Sequence, residues 1–216
     1  MIAAKEVGGD FYDFYKLNDT TVAFLAADVS GKGIPAAMFM MTAKSIVKGY
    51  AERGLEVHEI LAKANDELCE GNEAEMFVTA WMGILDLKTG LLSFANAGHN
   101  PPLLQRKDGK FEYLRSKANL ALAVMDGIPY KKQEIQLQPG DALYLYTDGV
   151  TEATNANVEL YGEERLANTL NLLQNESVET RCKRILADID AFVGEAEQFD
   201  DITMLSINYF GSNQQK

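Results

Sequence analysis

TVAFLAADVSGKG, residues 21–33, is the stretch of sequence that decides the fold. Its first seven residues, 21–27, are apolar on both alternating faces, which predicts a strand buried between two layers. Asp28 ends this strand, and a glycine turn leads to Pro35, which the first turn of a helix tolerates. The stretch therefore predicts a buried strand, an aspartate at its end and a helix directly after it.

The rest of the chain divides into blocks of helical and strand periodicity. Apolar spacing predicts a helix from Ile34 to Tyr50 and, after the loop at Arg53 and Gly54, a second helix that packs against it. An antiparallel meander follows, then two strands, two helices and a last strand. The predicted strands are 77–87, 91–97, 102–105, 111–114, 133–137, 142–147 and 202–209, and the later helices are 163–173 and 178–193. Separate blocks of this kind are typical of an α+β fold with helices outside antiparallel sheets.

Length and composition set the broad class. With 216 residues and 47% hydrophobic composition, the chain predicts one domain over 1–210 and a disordered tail over 211–216. A net charge of -12 argues against a nucleic-acid partner, and the longest apolar runs are too short for direct membrane insertion. Cys69 and Cys182 have no metal-binding companions, so neither a disulfide framework nor a zinc site is expected. We expect a cytoplasmic domain excised from a longer chain.

Four aspartates that lie far apart in the sequence each stand beside a predicted strand or a glycine turn: Asp10, Asp28, Asp148 and Asp200. Mn²⁺ and Mg²⁺ prefer oxygen ligands, and carboxylates brought to one place repel unless cations lie between them. A fold that gathers these aspartates would form a two-metal centre able to hydrolyse phosphate esters. For each aspartate alone, a turn or helix-cap role is the simpler interpretation.

Five motifs in a fixed order extend the signal beyond the single aspartates. They are Glu6-Val7-Gly8-Gly9-Asp10-Phe11-Tyr12-Asp13, Asp28-Val29-Ser30-Gly31-Lys32-Gly33-Ile34-Pro35-Ala36-Ala37, Ala97-Gly98-His99-Asn100-Pro101-Pro102, Thr147-Asp148-Gly149-Val150-Thr151-Glu152 and Asp200-Asp201-Ile202-Thr203. In this order the chain resembles the metal-dependent protein phosphatase (PPM) superfamily, in its bacterial SpoIIE branch of serine phosphatases. The resemblance covers nearly the whole chain.

The resemblance implies a fold and a set of metal ligands. The fold is a sandwich of two antiparallel sheets flanked by helices, in four layers ordered αββα, with a truncated N-terminal strand. Two Mn²⁺ or Mg²⁺ ions lie in a cleft at one end of the sandwich. Asp28 bridges both ions, Val29 offers its backbone carbonyl, Asp10 holds one ion, and Asp148 and Asp200 hold the other.

Other residues near the motifs have alternative interpretations. Asp201 is an additional candidate ligand, and Glu152 matches a position that holds a weaker third metal in some relatives, although a polar loop residue is the simpler interpretation. Ser30 stands where eukaryotic relatives carry a histidine proposed to protonate the leaving group, and their phosphate-binding arginine has no counterpart here. His99 fits a turn better than a catalytic role, and Lys32 is either a phosphate contact or a surface lysine.

The function implied is that of a serine/threonine protein phosphatase. Its nucleophile is a hydroxide activated by the dinuclear metal centre, and its substrate is phosphoserine on a small regulatory protein of the anti-sigma-factor antagonist (STAS) type. A further implied partner is an upstream sensor or receiver domain, which repositions the helix pair after Asp28. The sheet edge left unpaired by the truncated N-terminal strand also invites a homodimer. One alternative is a catalytically weak interaction module that keeps the phosphatase fold. Another, a metal-dependent phosphodiesterase, needs histidine-rich metal ligation that this sequence lacks.

Overall fold

The computed structural model describes residues 1–117 and 119–212. Of the predicted disordered tail, residues 213–216 lie outside the described part of the chain. None of the described helices is both long enough and apolar enough to cross a membrane.

One sheet has five antiparallel strands in the order β1-β2-β3-β4-β7. Its strands are β1 (Phe11–Asn18), β2 (Thr21–Val29), β3 (Val78–Asp86), β4 (Leu91–Ala97) and β7 (Gln133–Gln136). The second sheet has four antiparallel strands in the order β6-β5-β8-β9. Its strands are β5 (Leu103–Gln105), β6 (Phe111–Tyr113), β8 (Ala142–Tyr146) and β9 (Met204–Asn208).

Five helices complete the described fold. They are α1 (Ile34–Ala51), α2 (Val57–Cys69), α3 (Asp148–Thr151), α4 (Gly162–Leu172) and α5 (Val178–Val193). The first two helices cover the outer face of the five-stranded sheet. The last two cover the outer face of the four-stranded sheet.

The alternation of side chains along β2 shows why the strand is apolar throughout. Leu25 and its alternate neighbours pack with α1 and α2. Phe24 lies in the layer between the sheets, where its ring is stacked 5.9 Å from that of Trp81, which is fully buried. Because both faces of the strand are covered, an uninterrupted apolar run is what this position requires. The predicted four-layer αββα architecture is confirmed.

Two details of the strand prediction were wrong. Strand β1 was not predicted, because as an edge strand it leaves Tyr12 and Phe14 exposed and shows no clean apolar face. The predicted meander is split, since β3 and β4 belong to the five-stranded sheet while β5 and β6 belong to the other. The chain changes sheets between Ala97 and Leu103, and this crossing depends on long-range pairing that local periodicity does not encode.

The segment before β1 lies beside the start of β9. Ile2 and Ile202 form an antiparallel bridge and exchange both backbone hydrogen bonds, each at 2.9 Å. The first residues of the chain therefore extend the edge of the four-stranded sheet at the end where the aspartate motifs meet.

Candidate metal centre

Strand register brings the aspartate motifs to one end of the sandwich. Phe11 on the edge strand β1 pairs with Ala27 on its inner neighbour β2, which places Asp10, just before β1, beside Asp28 near the end of β2. Asp148 begins α3 just after β8, and Asp200 precedes β9, the partner of β8. The ends of both sheets thus contribute acidic side chains to the same region.

Asp10 is held by a buried hydroxyl. The Thr147 hydroxyl donates to Asp10 Oδ2 at 2.6 Å and accepts a hydrogen bond from the Thr203 backbone N–H at 3.1 Å. Asp10 is 1% exposed, and this burial, with the charge of Asp201, raises its pKa to about 7. The Thr147 hydroxyl therefore fixes this carboxylate in place.

The pKa of Asp28 is raised further than that of Asp10. Burial raises its pKa to about 9, and the charges of Asp10, Asp148 and Asp200 add to the effect. Burial also raises the pKa of Asp148, together with the charges of Glu152 and Asp200, while Lys32 acts in the opposite direction. Carboxylates that disfavour one another's ionisation in this way are stabilised when one of them is protonated or when a cation lies between them.

Asp201 is engaged with backbone groups. Its Oδ1 accepts a hydrogen bond from the Ala4 N–H at 2.8 Å and its Oδ2 accepts one from the Asp10 N–H at 3.3 Å. A Cβ on Gly149 would collide with the Asp201 carbonyl, so the Thr-Asp-Gly motif needs glycine there for close approach. These contacts tie Asp201 to the backbone around Asp10; its role as a metal ligand stays a prediction.

Asp200 faces a lysine. The ammonium of Lys32 lies 3.0 Å from Asp200 Oδ2, donates to the Phe199 carbonyl and sits 3.7 Å above the centre of the Phe199 ring. Within residues 1–117 and 119–212, no three or more His, Cys, Asp or Glu side chains are already gathered for metal ligation. The predicted ligands therefore share one end of the fold, and their charges help to raise the pKa values of Asp10, Asp28 and Asp148, but they do not form a closed cage. Glu152 lies at the rim, exposed to solvent.

The donor set at this end fits a hard divalent cation. Every side-chain candidate offers carboxylate oxygen, which Mn²⁺ and Mg²⁺ prefer. A Cβ on Gly9 would lie 2.9 Å from the carbonyl oxygen of Val29, so glycine at this position keeps that predicted ligand clear. The mutual repulsion around Asp28 is the other sign of fit, because a cation would relieve it.

The two histidines lie outside this donor set. The Asn96 side chain donates to the His99 carbonyl at 2.9 Å and accepts from the His99 N–H at 2.8 Å, which agrees with the predicted turn role. Burial lowers the pKa of His99 to about 4, so its ring is neutral at physiological pH. His58 lies at the start of α2, 3.6 Å from Glu56.

Sequence reasoning missed the residues that position the carboxylates. Thr147 precedes Asp148 in its motif and Thr203 follows Asp201, and both side chains are fully buried. Ser30 accepts a hydrogen bond from the Phe77 N–H at 2.9 Å, which joins the glycine turn to the start of β3. The signal was present in the motifs, but only the three-dimensional contacts show what these hydroxyl groups do.

Comparison with known proteins identifies the family. The family model described as Stage II sporulation protein E (SpoIIE) matches residues 18–210. The chain belongs to the SpoIIE family. It is a SpoIIE-type phosphatase domain of the PPM superfamily, and this confirms the resemblance drawn from the five motifs.

Individual relatives agree with this placement. Phosphoserine phosphatase RsbU of Bacillus subtilis is 32% identical over 157 residues, which cover 72% of this chain and 46% of RsbU. The SiaA-PP2C domain of Pseudomonas aeruginosa has a TM-score of 0.84 at 24% identity, covering 96% of this chain and 83% of that one. RsbX in complex with magnesium has a TM-score of 0.70 at 18% identity, covering 95% and 90%. The structural likenesses show the PP2C fold. The SpoIIE-family domain spans less than half the length of the curated RsbU and RsbP proteins it matches.

Proposed function

We propose that this SpoIIE-family domain is a Mn²⁺- or Mg²⁺-dependent phosphatase that hydrolyses phosphoserine on a small regulatory protein. The observation that carries the proposal is the group of mutually repelling carboxylates around Asp28, gathered from four distant segments at one end of the sandwich. The similarity to RsbU, which is named a phosphoserine phosphatase, supports the reaction class.

Asp10, Asp28, Asp148 and Asp200, with the Val29 carbonyl, would hold two divalent cations. When bound, such a pair activates water as the nucleophile and neutralises charge that develops on the phosphate. A third, weaker ion would use Glu152, and Asp201 is the further candidate ligand. No side-chain nucleophile is needed, so the chemistry of the protein itself lies in placing these carboxylates.

The surrounding residues position the reacting groups. Thr147 orients Asp10 through its 2.6 Å hydrogen bond, and Asp201 fixes the backbone of the same residue. His99 does not serve as the acid that protonates the leaving serine, because its pKa of about 4 leaves it neutral at pH 7 and it is buried against Thr79. Proton delivery falls to water or to an acid of the centre.

The proposed partners follow from the family. The substrate is an anti-sigma-factor antagonist of the STAS type, and an upstream sensor or receiver domain controls the domain by moving α1 and α2. These two helices directly follow the Asp28 motif, so a shift of α1 would reach the metal centre through residues 30–33. A homodimer remains part of the proposal.

Hydrolysis by the purified chain tests the proposal. After treatment with a chelator, the chain should hydrolyse para-nitrophenyl phosphate and a phosphoserine peptide only when Mn²⁺ or Mg²⁺ is restored. Asp28→Asn should abolish this activity, whereas Asp19→Asn, at an exposed surface position, should keep it. Full activity in Asp28→Asn would contradict the proposed centre. Metal binding without turnover by the unmodified chain would instead support the interaction-module alternative.

A further inference from the structure

A groove opens directly beside the metal centre, between the end of α5, residues 196–200 and the segment that follows β8. It encloses about 240 Å³. Its apolar surface includes Ile189, Val193 and Phe199, and acidic residues at its edge include Glu152, Asp190 and Glu197. The groove therefore combines an apolar floor with a negatively charged rim.

The size of the groove restricts its occupant. Pockets for nucleotides and other small-molecule ligands usually enclose roughly 300–1,000 Å³. This groove is smaller and open to solvent along the rim, where Glu152, Asp190 and Glu197 are all exposed. Its volume suits one or two amino-acid side chains.

The charge of the groove restricts the occupant further. Among the described residues that line it there is no lysine or arginine. The neighbouring Lys32 ammonium is already paired with Asp200, 3.0 Å away. Three exposed carboxylates at the rim would attract lysine or arginine from a partner and would repel acidic residues.

The groove is continuous with the candidate metal centre. Gly149, which follows Asp148, and Asp200 itself both form part of its wall. A polypeptide advances by about 3.3–3.6 Å per extended residue. If a phosphoserine lay against the metal centre, residues within about three positions of it would pass over the groove.

We propose that this groove recognises the substrate segment that flanks the phosphoserine, taking one apolar side chain on its floor and a lysine or arginine at its rim. This inference rests on the proposed phosphatase function and names the class of substrate for the same site. It also accounts for how a chain of net charge -12 accepts a phosphoprotein. A phosphoserine adds about -1.5 to -2 charge, and a neighbouring cation offsets the repulsion from the acidic rim.

Three phosphopeptides test the proposal on the Mn²⁺-loaded chain. The first has leucine and arginine on both sides of the phosphoserine, the second has glycine and arginine there, and the third has glycine and glutamate. We expect kcat/KM to fall at least fivefold at each step, mainly through KM. Equal values for the three peptides would overturn the inference.

Reversing the charge of single rim residues tests whether the groove is the source of the preference for arginine peptides. Glu197→Lys and, separately, Asp190→Lys should reduce the preference for arginine over glutamate peptides by about fivefold. Glu112→Lys makes the same change of net charge on β6, outside the groove, and should leave the preference intact. A Glu112→Lys effect as large as that of Glu197→Lys would overturn the inference, because general charge would then explain it.

A small substrate separates this inference from the proposed function. Para-nitrophenyl phosphate has no flanking residues and reports only the metal-dependent reaction. If the unmodified chain hydrolyses it but treats the three peptides alike, the groove inference fails and the phosphatase proposal stands. If the chain hydrolyses neither it nor any peptide, the phosphatase proposal fails.

Discussion

Asp188 and Asp28 are both partly buried carboxylates, but the protein treats them in opposite ways. Asp188, on α5, accepts hydrogen bonds from Tyr161 at 2.6 Å, from Arg165 at 2.9 and 3.1 Å and from Thr169 at 3.0 Å. Its pKa is lowered to about 2, mainly by Arg165. The pKa of Asp28 is raised to about 9 by burial and by other aspartates.

A third carboxylate follows the pattern of Asp188. Asp141 is 1% exposed, pairs with Arg106 at 2.7 Å and accepts backbone hydrogen bonds from Lys107 and Gln138. For Asp188 and Asp141 the chain itself provides the arginine and the hydrogen-bond donors. Around Asp28 the neighbouring charges that raise its pKa are those of other aspartates, and Lys32 pairs with Asp200 instead. This contrast distinguishes a functional cluster from a structural one.

Catalysis should show the largest difference between the two regions. Asp28→Asn should lower metal-dependent kcat/KM for para-nitrophenyl phosphate by about 10³-fold or more, since it removes the proposed bridging ligand from the charge-stabilising site. Asp188→Asn should change the same quantity less than about twofold. Steady-state kinetics on both variants measure the contrast, and equal losses would show that the two regions are not functionally distinct.

Cation binding should stabilise the folded protein through the aspartates around Asp28 and not through Asp188. At about 100 times the dissociation constant, Mn²⁺ should raise the free energy of unfolding by about 2.7 kcal/mol, because the folded state gathers the ligands. Urea unfolding with and without Mn²⁺ measures this gain. Asp188→Asn should retain the gain and Asp28→Asn should lose most of it; a gain that survives in Asp28→Asn would place the ion elsewhere.

Loss of the Asp188 contacts should be a stability effect. Asp188→Asn should lower the free energy of unfolding by about 2 kcal/mol, because the Arg165 guanidinium loses its charged acceptor. The matched control is Asp19→Asn, which removes an exposed surface pair with Lys16 and should change the free energy of unfolding far less. Chemical denaturation compares them, and equal effects would contradict the structural role given to Asp188.

In chelator-treated protein, the stability contributed by the region around Asp28 and that contributed by the region around Asp188 should change with pH in opposite directions. Asp28 and Asp10, with pKa values of about 9 and 7, hold protons that the unfolded chain has already released, so stability should fall as pH rises from about 4 to 9. Each retained proton contributes at most about 1.4 kcal/mol per pH unit to this slope, so the slope should be steepest below pH ~7, where both carboxyl groups retain a proton. Asp188, with a pKa of about 2, should instead lose stability as pH falls from about 4 to 2. Unfolding curves across pH test this, and Asp28→Asn should flatten the alkaline branch alone.

The smallest expected effect concerns Lys32, whose ammonium pairs with Asp200. Lys32→Gln should tighten Mn²⁺ binding by about two- to fivefold, since the ammonium competes for the same carboxylate. Calorimetric titration measures the affinity, and Lys16→Gln, at the surface pair with Asp19, serves as the control. Weaker binding in Lys32→Gln would show that the lysine assists the site.

The sequence predicted most of the helices and strands because a buried face requires apolar residues at regular local spacing. Strand β2 is apolar on both faces and α2 has one apolar face, so their periodicity is visible without a structure. Edge strand β1 was missed because its exposed aromatic side chains obscure the alternation. The candidate ligands were visible as motifs. The pairing of Thr147 with Asp10 spans 137 residues, and the pairing of Lys32 with Asp200 is similarly distant, so no local pattern reveals them.

The bridge between Ile2 and Ile202 has a practical consequence for handling the protein. The same short N-terminal segment reaches Asp201 through the Ala4 N–H, so whatever is joined ahead of Met1 is linked through a few residues to the backbone next to Asp10. The same attachment point is well suited to a fluorescent reporter, whose signal would register rearrangement of the acidic end.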